Sequence, residues 1–322
     1  ALKVRAEGLL DGEYVESDIP WIKITESPIR FNIGPFLSYH DDMFSTKRFY
    51  SATVEILDPD VSFENYRDLF AGVKKHLDDQ KMQIEFSNMY SWGGEVARMK
   101  ANAWARPHSS EHAEFMKKHG SKKLHFLNSL KLNYRTSIAE KIAEESLRES
   151  GISCDFDYLF KLYVFMVALH EVGHTLDVVT REGERSTEHF MKLEELKADL
   201  FSLVEYSRLL FDGKISKDDF LIGLISFLAH KLDVIELSKT VEGRRAHAFA
   251  GKFEFVRLVE MGLISFNSNK TRIFINPDYL NGEVFLKVFE ELYTENITLF
   301  MEGSVGEIDS FVEHIDKKWS EL

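Results

Sequence analysis

Apolar positions recur with a helical spacing over most of the second half of the chain. Helices are predicted near residues 157–179, 188–212, 216–238, 243–263, 277–300 and 305–320. Gly213, Gly262 and Gly303 stand where three of these should end. Residues 272–275 read as a short strand. The first half is mixed. Residues 21–40 read as strand and turn, with Gly34-Pro35 as punctuation. Residues 41–57 and 61–79 read as helices, the second capped by Asp60 or Ser62. Ser91-Trp92-Gly93-Gly94 reads as a turn. Beyond it Ala97, Met99, Ala101, Ala103 and Ala105 alternate with larger or polar residues, a period of two that predicts a strand until Pro107 ends it. A short strand over residues 122–127 and a helix over 132–149 follow. The class expected is α+β: a mixed N-terminal lobe with a small sheet, residues 1–153, packed on a mainly helical lobe, residues 154–322, with the active site in the groove between them.

Composition narrows what such a chain can do. Its 322 residues are enough for a large domain or two lobes. Lys and Arg number 40 against 53 Asp and Glu, a net charge of −13 that disfavours nucleic acid as a partner. Cys154 is the single cysteine, which excludes an internal disulfide and any metal site built from two cysteines of one chain. The longest apolar stretch, residues 158–169, is too short to span a bilayer, which needs about 20 residues. The first residues, ALKVRAEGLLDGEY, have no apolar signal core, and a cytoplasmic location without a membrane partner is expected.

The chemistry concentrates in Leu169-His170-Glu171-Val172-Gly173-His174, an HExxH sequence. On a helix, residues four apart share a face, so His170 and His174 can hold one metal ion while Glu171 beside them acts as general base. The preceding run, YLFKLYVFMVALH, reads as a buried helix, and buried imidazoles are costly unless paired or metal-bound. The next predicted helix carries Leu193-Glu194-Glu195-Leu196-Lys197-Ala198-Asp199. Glu195 can return as a third ligand, and Asp199, one turn on, can accept the second N–H of a ligating His. Two His and one Glu leave a tetrahedral zinc one open position, the catalytic pattern. The bland alternative is a core helix whose histidines are satisfied by carboxylates. His108-Ser109-Ser110-Glu111-His112 fits the inverted pattern HxxEH but opens a polar segment with no apolar face, and a second metal site is not expected there. His247 stands at the start of an amphipathic helix, where it is a packing or surface residue or, beside a metal, an oxyanion donor. Arg244 and Arg245 are a solvated helix start or a site for a substrate carboxylate. Cys154 reads as an inert thiol.

These motifs resemble the dipeptidyl peptidase III family of zinc peptidases, especially its shorter bacterial and Nudix-associated relatives. The family has the HExxH helix followed by an EExxAE/D helix, matched by Glu194-Glu195 with Ala198-Asp199. Ile33-Gly34-Pro35, Tyr39, Asp41-Asp42, Phe44 and Lys47 resemble a second conserved region, and Ala246-His247 with Glu260-Met261-Gly262 a third, so that the similarity spans about residues 30–265. The resemblance implies one zinc ion per chain held by His170, His174 and Glu195, with Glu171 as general base and later proton donor. It implies that Glu194 and Asp199 orient the ligating histidines and that His247 stabilises the transition state. The strand near residues 95–105 falls where the family pairs an extended substrate. The chain departs from the longer members in having one residue fewer between its histidines and in Ser45, where a Gly is usual.

The expected function is therefore a zinc metallopeptidase acting on short peptides. The alternatives are a zinc hydrolase acting on a non-peptide amide or ester, and a non-catalytic zinc-binding protein. Pocket shape rather than the metal sets the substrate.

Overall fold

Residues 45–57 form a strand, not the expected helix, and the reason lies in which side chains turn inward. The computed structural model describes residues 19–23, 28–41, 45–57, 73–79, 81–94, 103–106, 118–174, 188–241 and 244–322. Two strands, β1 (Ile29–Asp41) and β2 (Ser45–Leu57), pair antiparallel with Arg30 opposite Glu55 and Ile29 opposite Ile56. The charged pair points inward: Arg30 is 5% exposed and Glu55 1%, while Ile29, Phe31 and Ile56 face out. At these positions the alternation of period two is inverted, with charge inside and apolar side chains outside. The buried charges are balanced by β3 and β5. Glu85 on β3 (Met82–Gly94) pairs with Arg30 and, at 3.1 Å, with Lys122 on β5 (Ser121–Phe126). Burial lowers the Lys122 pKa, and Glu85 pulls it back up.

The expected turn at residues 91–94 is absorbed into β3. Ala52 of β2 pairs with Gly93 and Thr53 with Ser91, so Trp92 is the extra residue of a bulge. β3 runs parallel to β5, and β4 (Ala103–Arg106) antiparallel to it, giving the order β1-β2-β3-β5-β4. β4 is the described end of the expected alternating strand; residues 95–102 and 61–72 lie outside the described residues. Short helices α1 (Ile19–Ile22) and α2 (Lys74–Asp79) belong to the same unit. The chain divides into two compact units, Ala1–Asn133 and Tyr134–Leu322, the division falling within helix α3 (Leu127–Thr136).

The second unit is helical, as expected. After α4 (Ile138–Glu149) come α5 (Phe156–Gly173), α6 (Glu188–Phe211), α7 (Lys217–Leu237), α8 (Arg245–Glu260), α9 (Gly282–Glu302) and α10 (Val305–Glu321). Asp155 caps α5 by accepting from the Tyr158 N–H, and Ser216 with Asp219 forms a capping box on α7. A hairpin of β6 (Ile264–Phe266) and β7 (Ile273–Ile275) follows α8, and a single 3-10 turn, Pro277–Tyr279, precedes α9. Gly213 and Gly262 close α6 and α8 with φ of +67° and +72°, a conformation that favours glycine.

The core of this unit lies around α6, which packs against α5, α8 and α9. α7 is buried along nearly its whole length and packs against α4, α5 and α8. α5 approaches α6 closely at Gly173. A Cβ on this glycine would stand 2.7 Å from Ala198 Cα and 2.9 Å from Ala198 O, both backbone atoms. Among the described residues, no helix is long and apolar enough to cross a membrane. The fold is α+β: a five-stranded mixed sheet in one unit and a helical assembly in the other.

Candidate functional site

The last turn of α5 and the first turns of α6 bring the HExxH and EExxAD residues together. His170 is on the buried face of α5, and His174 is its C-cap residue. Their rings lie 4.6 Å apart at right angles. Each has its Nδ1 side tied to a carboxylate of α6: His170 Nδ1 is 2.6 Å from Asp199 Oδ1, and His174 Nδ1 is 3.2 Å from Glu194 Oε1. An ionised carboxylate can only accept, so both Nδ1 atoms donate, and in the neutral rings both Nε2 atoms carry lone pairs. Those two Nε2 atoms face each other at 3.0 Å. Glu195 Oε2 lies 3.4 Å from the first and 3.6 Å from the second. His247, from the first turn of α8, brings Nδ1 to 2.8 Å from the same oxygen, but no well-directed hydrogen bond forms to that buried atom.

Three electron-pair donors that converge on one point repel unless a cation stands between them. A proton can play that part, with one ring doubly protonated and donating from Nε2 to the other across 3.0 Å, and so can a metal ion. The separations fit a metal: ligands about 2.0–2.2 Å from a tetrahedral zinc stand roughly 3.3 Å from one another. His170, Glu195 and His247 also form a group whose ligand atoms all lie within 4.8 Å of one another, a possible metal-binding triad. The two sets share His170 and Glu195, and differ in whether His174 or His247 completes them.

The electrostatics of the site point the same way. Burial lowers the His174 pKa, but Glu195, Glu194 and Glu171 more than reverse this and raise it to about 10. His170 is likewise lowered by burial and raised on balance by Asp199 and Glu195. Burial opposes ionisation of Glu195, yet His247, His174 and His170 hold its carboxyl well below the usual range. Glu194 is held down, against burial, by His174 and Lys197. Asp199 is held down, against burial, by Lys231 and His170. This arrangement stabilises positive charge at the position where the lone pairs meet.

Glu171 is half-buried beside His170, with its charge bearing on His174. Arg244 is the half-buried residue before α8, and its charge reaches Tyr163, His230 and Asp233. Arg245 opens α8 and acts on Glu188. Cys154 is a free, half-buried thiol whose pKa burial and Asp155 push up, so it is a poor nucleophile. His108 and His112 lie outside the described residues. The sequence reading missed Lys231 and Glu254. Lys231 meets Asp199 from α7, and Glu254, on α8, is 1% exposed. Their signal is a charged residue inside an apolar helical run, as in Leu228-Ala229-His230-Lys231-Leu232 and Phe253-Glu254-Phe255.

No protein-family model matches the chain. Nudix hydrolase 3 of Arabidopsis thaliana is 26% identical over 289 residues, which is 84% of this chain and 36% of that protein. The structure of DPP III from Caldithrix abyssi matches with a TM-score of 0.69 at 19% identity, and that of dipeptidyl-peptidase III from Corallococcus sp. strain EGB with 0.69 at 17%. Both matches cover 100% of this chain, and 64% and 62% of theirs. The chain thus spans about a third of its curated relative and less than two thirds of either solved structure, and at these identities the likeness is one of fold.

Proposed function

We propose that this chain is a zinc-dependent hydrolase of the dipeptidyl peptidase III type that cleaves short peptides. The observation that carries this reading is the convergence of His170 Nε2, His174 Nε2 and Glu195 Oε2, with both imidazoles locked by carboxylates behind them. The fold shared with the two dipeptidyl peptidase III structures supports the peptide substrate.

His170, His174 and Glu195 would hold the metal. We assign His174 rather than His247 as the second imidazole because its Nε2 completes the tighter cluster and its ring is already oriented by Glu194. A zinc ion there would polarise a carbonyl and lower the pKa of water to about 7. Asp199 and Glu194 keep the protons of His170 and His174 on Nδ1. Glu171, next to His170 on the same helix, takes a proton from the attacking water and returns it to the leaving amine. His247, 30% exposed at the rim, donates to the oxygen that gains charge as the carbonyl carbon becomes tetrahedral. Arg244 and Arg245 would bind the carboxylate of a short peptide.

The test is a mixed short-peptide library digested by the zinc-loaded protein and by its Glu171→Gln variant, read by mass spectrometry. Cleavage should fall at least 10²–10⁴-fold in the variant while zinc stays bound. Full activity in Glu171→Gln would overturn the mechanism. A zinc-loaded wild type that leaves every peptide intact would overturn the peptide assignment, and turnover of a small amide or ester would then identify the substrate class.

A further inference from the structure

Asp199, the carboxylate behind His170, is completely buried, and a bare charge there is costly. One of its oxygens accepts from His170 Nδ1. The other accepts from Lys231 Nζ, on α7. Lys231 is itself buried, with 4% exposure, in one of the most apolar helices of the molecule. A lysine in that position loses its hydration and must be held by something. Three features of the packing do so. Phe227, one turn earlier, places its ring 4.7 Å from Nζ. Gly251 of α8 makes room for the lysine stem, since a Cβ there would stand 3.0 Å from Lys231 Cβ. Asp199 supplies the charge.

Glu254 is the remaining carboxyl of this cluster. It is 1% exposed and lies against Asp199. Burial, followed by the charge of Asp199, pushes its pKa well above the usual range, against the pull of Lys231. The ion pair of Lys231 is with Asp199.

We propose that Lys231 is a positioning residue for the metal centre: by holding the second oxygen of Asp199 it fixes the carboxylate that orients His170 for the ion. This rests on the reading of His170 as a metal ligand. With both oxygens occupied, the Asp199 carboxylate cannot rotate, and the His170 ring is held with Nε2 toward His174 and Glu195. Without Lys231, Asp199 is a buried charge with one partner fewer, free to turn away from His170. Carboxylates that orient a ligating His typically change metal affinity by 10–100-fold when lost, and Lys231 acts through one.

The experiment measures zinc affinity by chelator competition, the visible absorption of the cobalt-loaded protein, and the melting temperature of the metal-free protein. The proteins compared are wild type, Lys231→Met, Lys231→Arg, Asp199→Asn and the double variant Lys231→Met/Asp199→Asn. Lys231→Met should weaken zinc binding about 10–100-fold and alter the cobalt bands, and Lys231→Arg should restore part of both. The double variant, which removes both charges and so avoids an unpaired one, should bind zinc no more weakly than Asp199→Asn alone. A Lys231→Met protein that melts lower but keeps wild-type zinc affinity and cobalt bands would overturn the proposal, as would additive losses in the double variant. A wild type that binds no zinc would instead overturn the reading of the site itself.

Discussion

Replacing Gly173 by alanine tests whether the approach of two helices sets the geometry of the candidate metal centre. The new Cβ would lie 2.7 Å from Ala198 Cα, and ordinary contact begins near 3.4 Å, so α5 and α6 must separate by about 0.7 Å. The obstacle is backbone, which cannot rotate away as a flexible side chain could. Overpacking of this kind costs about 1–3 kcal/mol. Alanine returns up to about 1 kcal/mol through its higher helix propensity. The net loss of stability is about 0–3 kcal/mol, or a melting temperature lowered by at most ~12 °C for a unit of this size. The effect on the metal should be larger in proportion. Gly173 lies between His170 and His174, and Ala198 lies three residues after Glu195 and one before Asp199. A separation of 0.7 Å exceeds the roughly 0.5 Å tolerance of a ligand set. Zinc affinity should therefore fall about 10–100-fold in a protein that still folds. Chelator competition for affinity and thermal unfolding of the metal-free protein separate the two effects. A Gly173→Ala protein that melts higher than wild type and binds zinc as tightly would refute the reasoning, because the helices would then have room that the geometry denies them.

Three further outcomes are expected. Zinc at a hundred times its dissociation constant should stabilise the folded protein by about 2.7 kcal/mol, read as a melting temperature that rises on loading and returns on chelation; no shift at saturating zinc would count against the site. Glu194→Gln should weaken zinc binding about tenfold, since the amide still accepts from His174 Nδ1 but no longer carries charge, and an unchanged affinity would remove Glu194 from the centre. His230 provides a pH prediction. Burial, with Lys231, Arg244 and His247, depresses its pKa from 6.5 to about 3 in the folded chain. The unfolded chain then binds the proton more readily, so the contribution of His230 to stability is full above pH 6.5 and is lost as pH falls toward 3. His230→Phe should flatten the acid side of the stability profile by about 1–3 kcal/mol; urea titrations at pH 7 and pH 4.5 that give the same difference for both proteins would refute it.

The helical unit was legible because its signals are local and repeated. The expected helices over residues 188–212 and 216–238 appear as Glu188–Phe211 and Lys217–Leu237, with Gly213 and the Ser216 cap marking the junction. The sheet was less legible because its inner face is partly charged. Arg30, Glu55 and Lys122 point inward, and Arg30 and Lys122 pair with Glu85 across strands distant in sequence, so no window of the chain contains both members of the pair Arg30–Glu85. An apolar periodicity reports burial only where the buried face is apolar. The Gly93-Gly94 pair misled for a related reason: glycine marks bulged strands as well as turns, and only the partner strand distinguishes them.

The same contrast governs the site. A helix fixes the spacing of His170 and His174, and of Glu195 and Asp199, so the residues that share a turn could be paired from sequence. What turns two short motifs into one cluster is tertiary: the missing Cβ of Gly173 against Ala198, and Lys231 arriving from a third helix. Both residues carry a signal once the energetic question is put to them. A lysine within an apolar run that reads as core must have an acidic partner, because an unpaired buried ammonium costs more than a side chain of its size returns by packing. In this unit Asp199 is the completely buried carboxylate facing it, while burial and the charge of Asp199 push the Glu254 pKa up. The need to neutralise Lys231 and the need to orient His170 are thus met by one carboxylate. Substitutions at Lys231 should therefore be felt at the metal before they are felt in the rest of the fold.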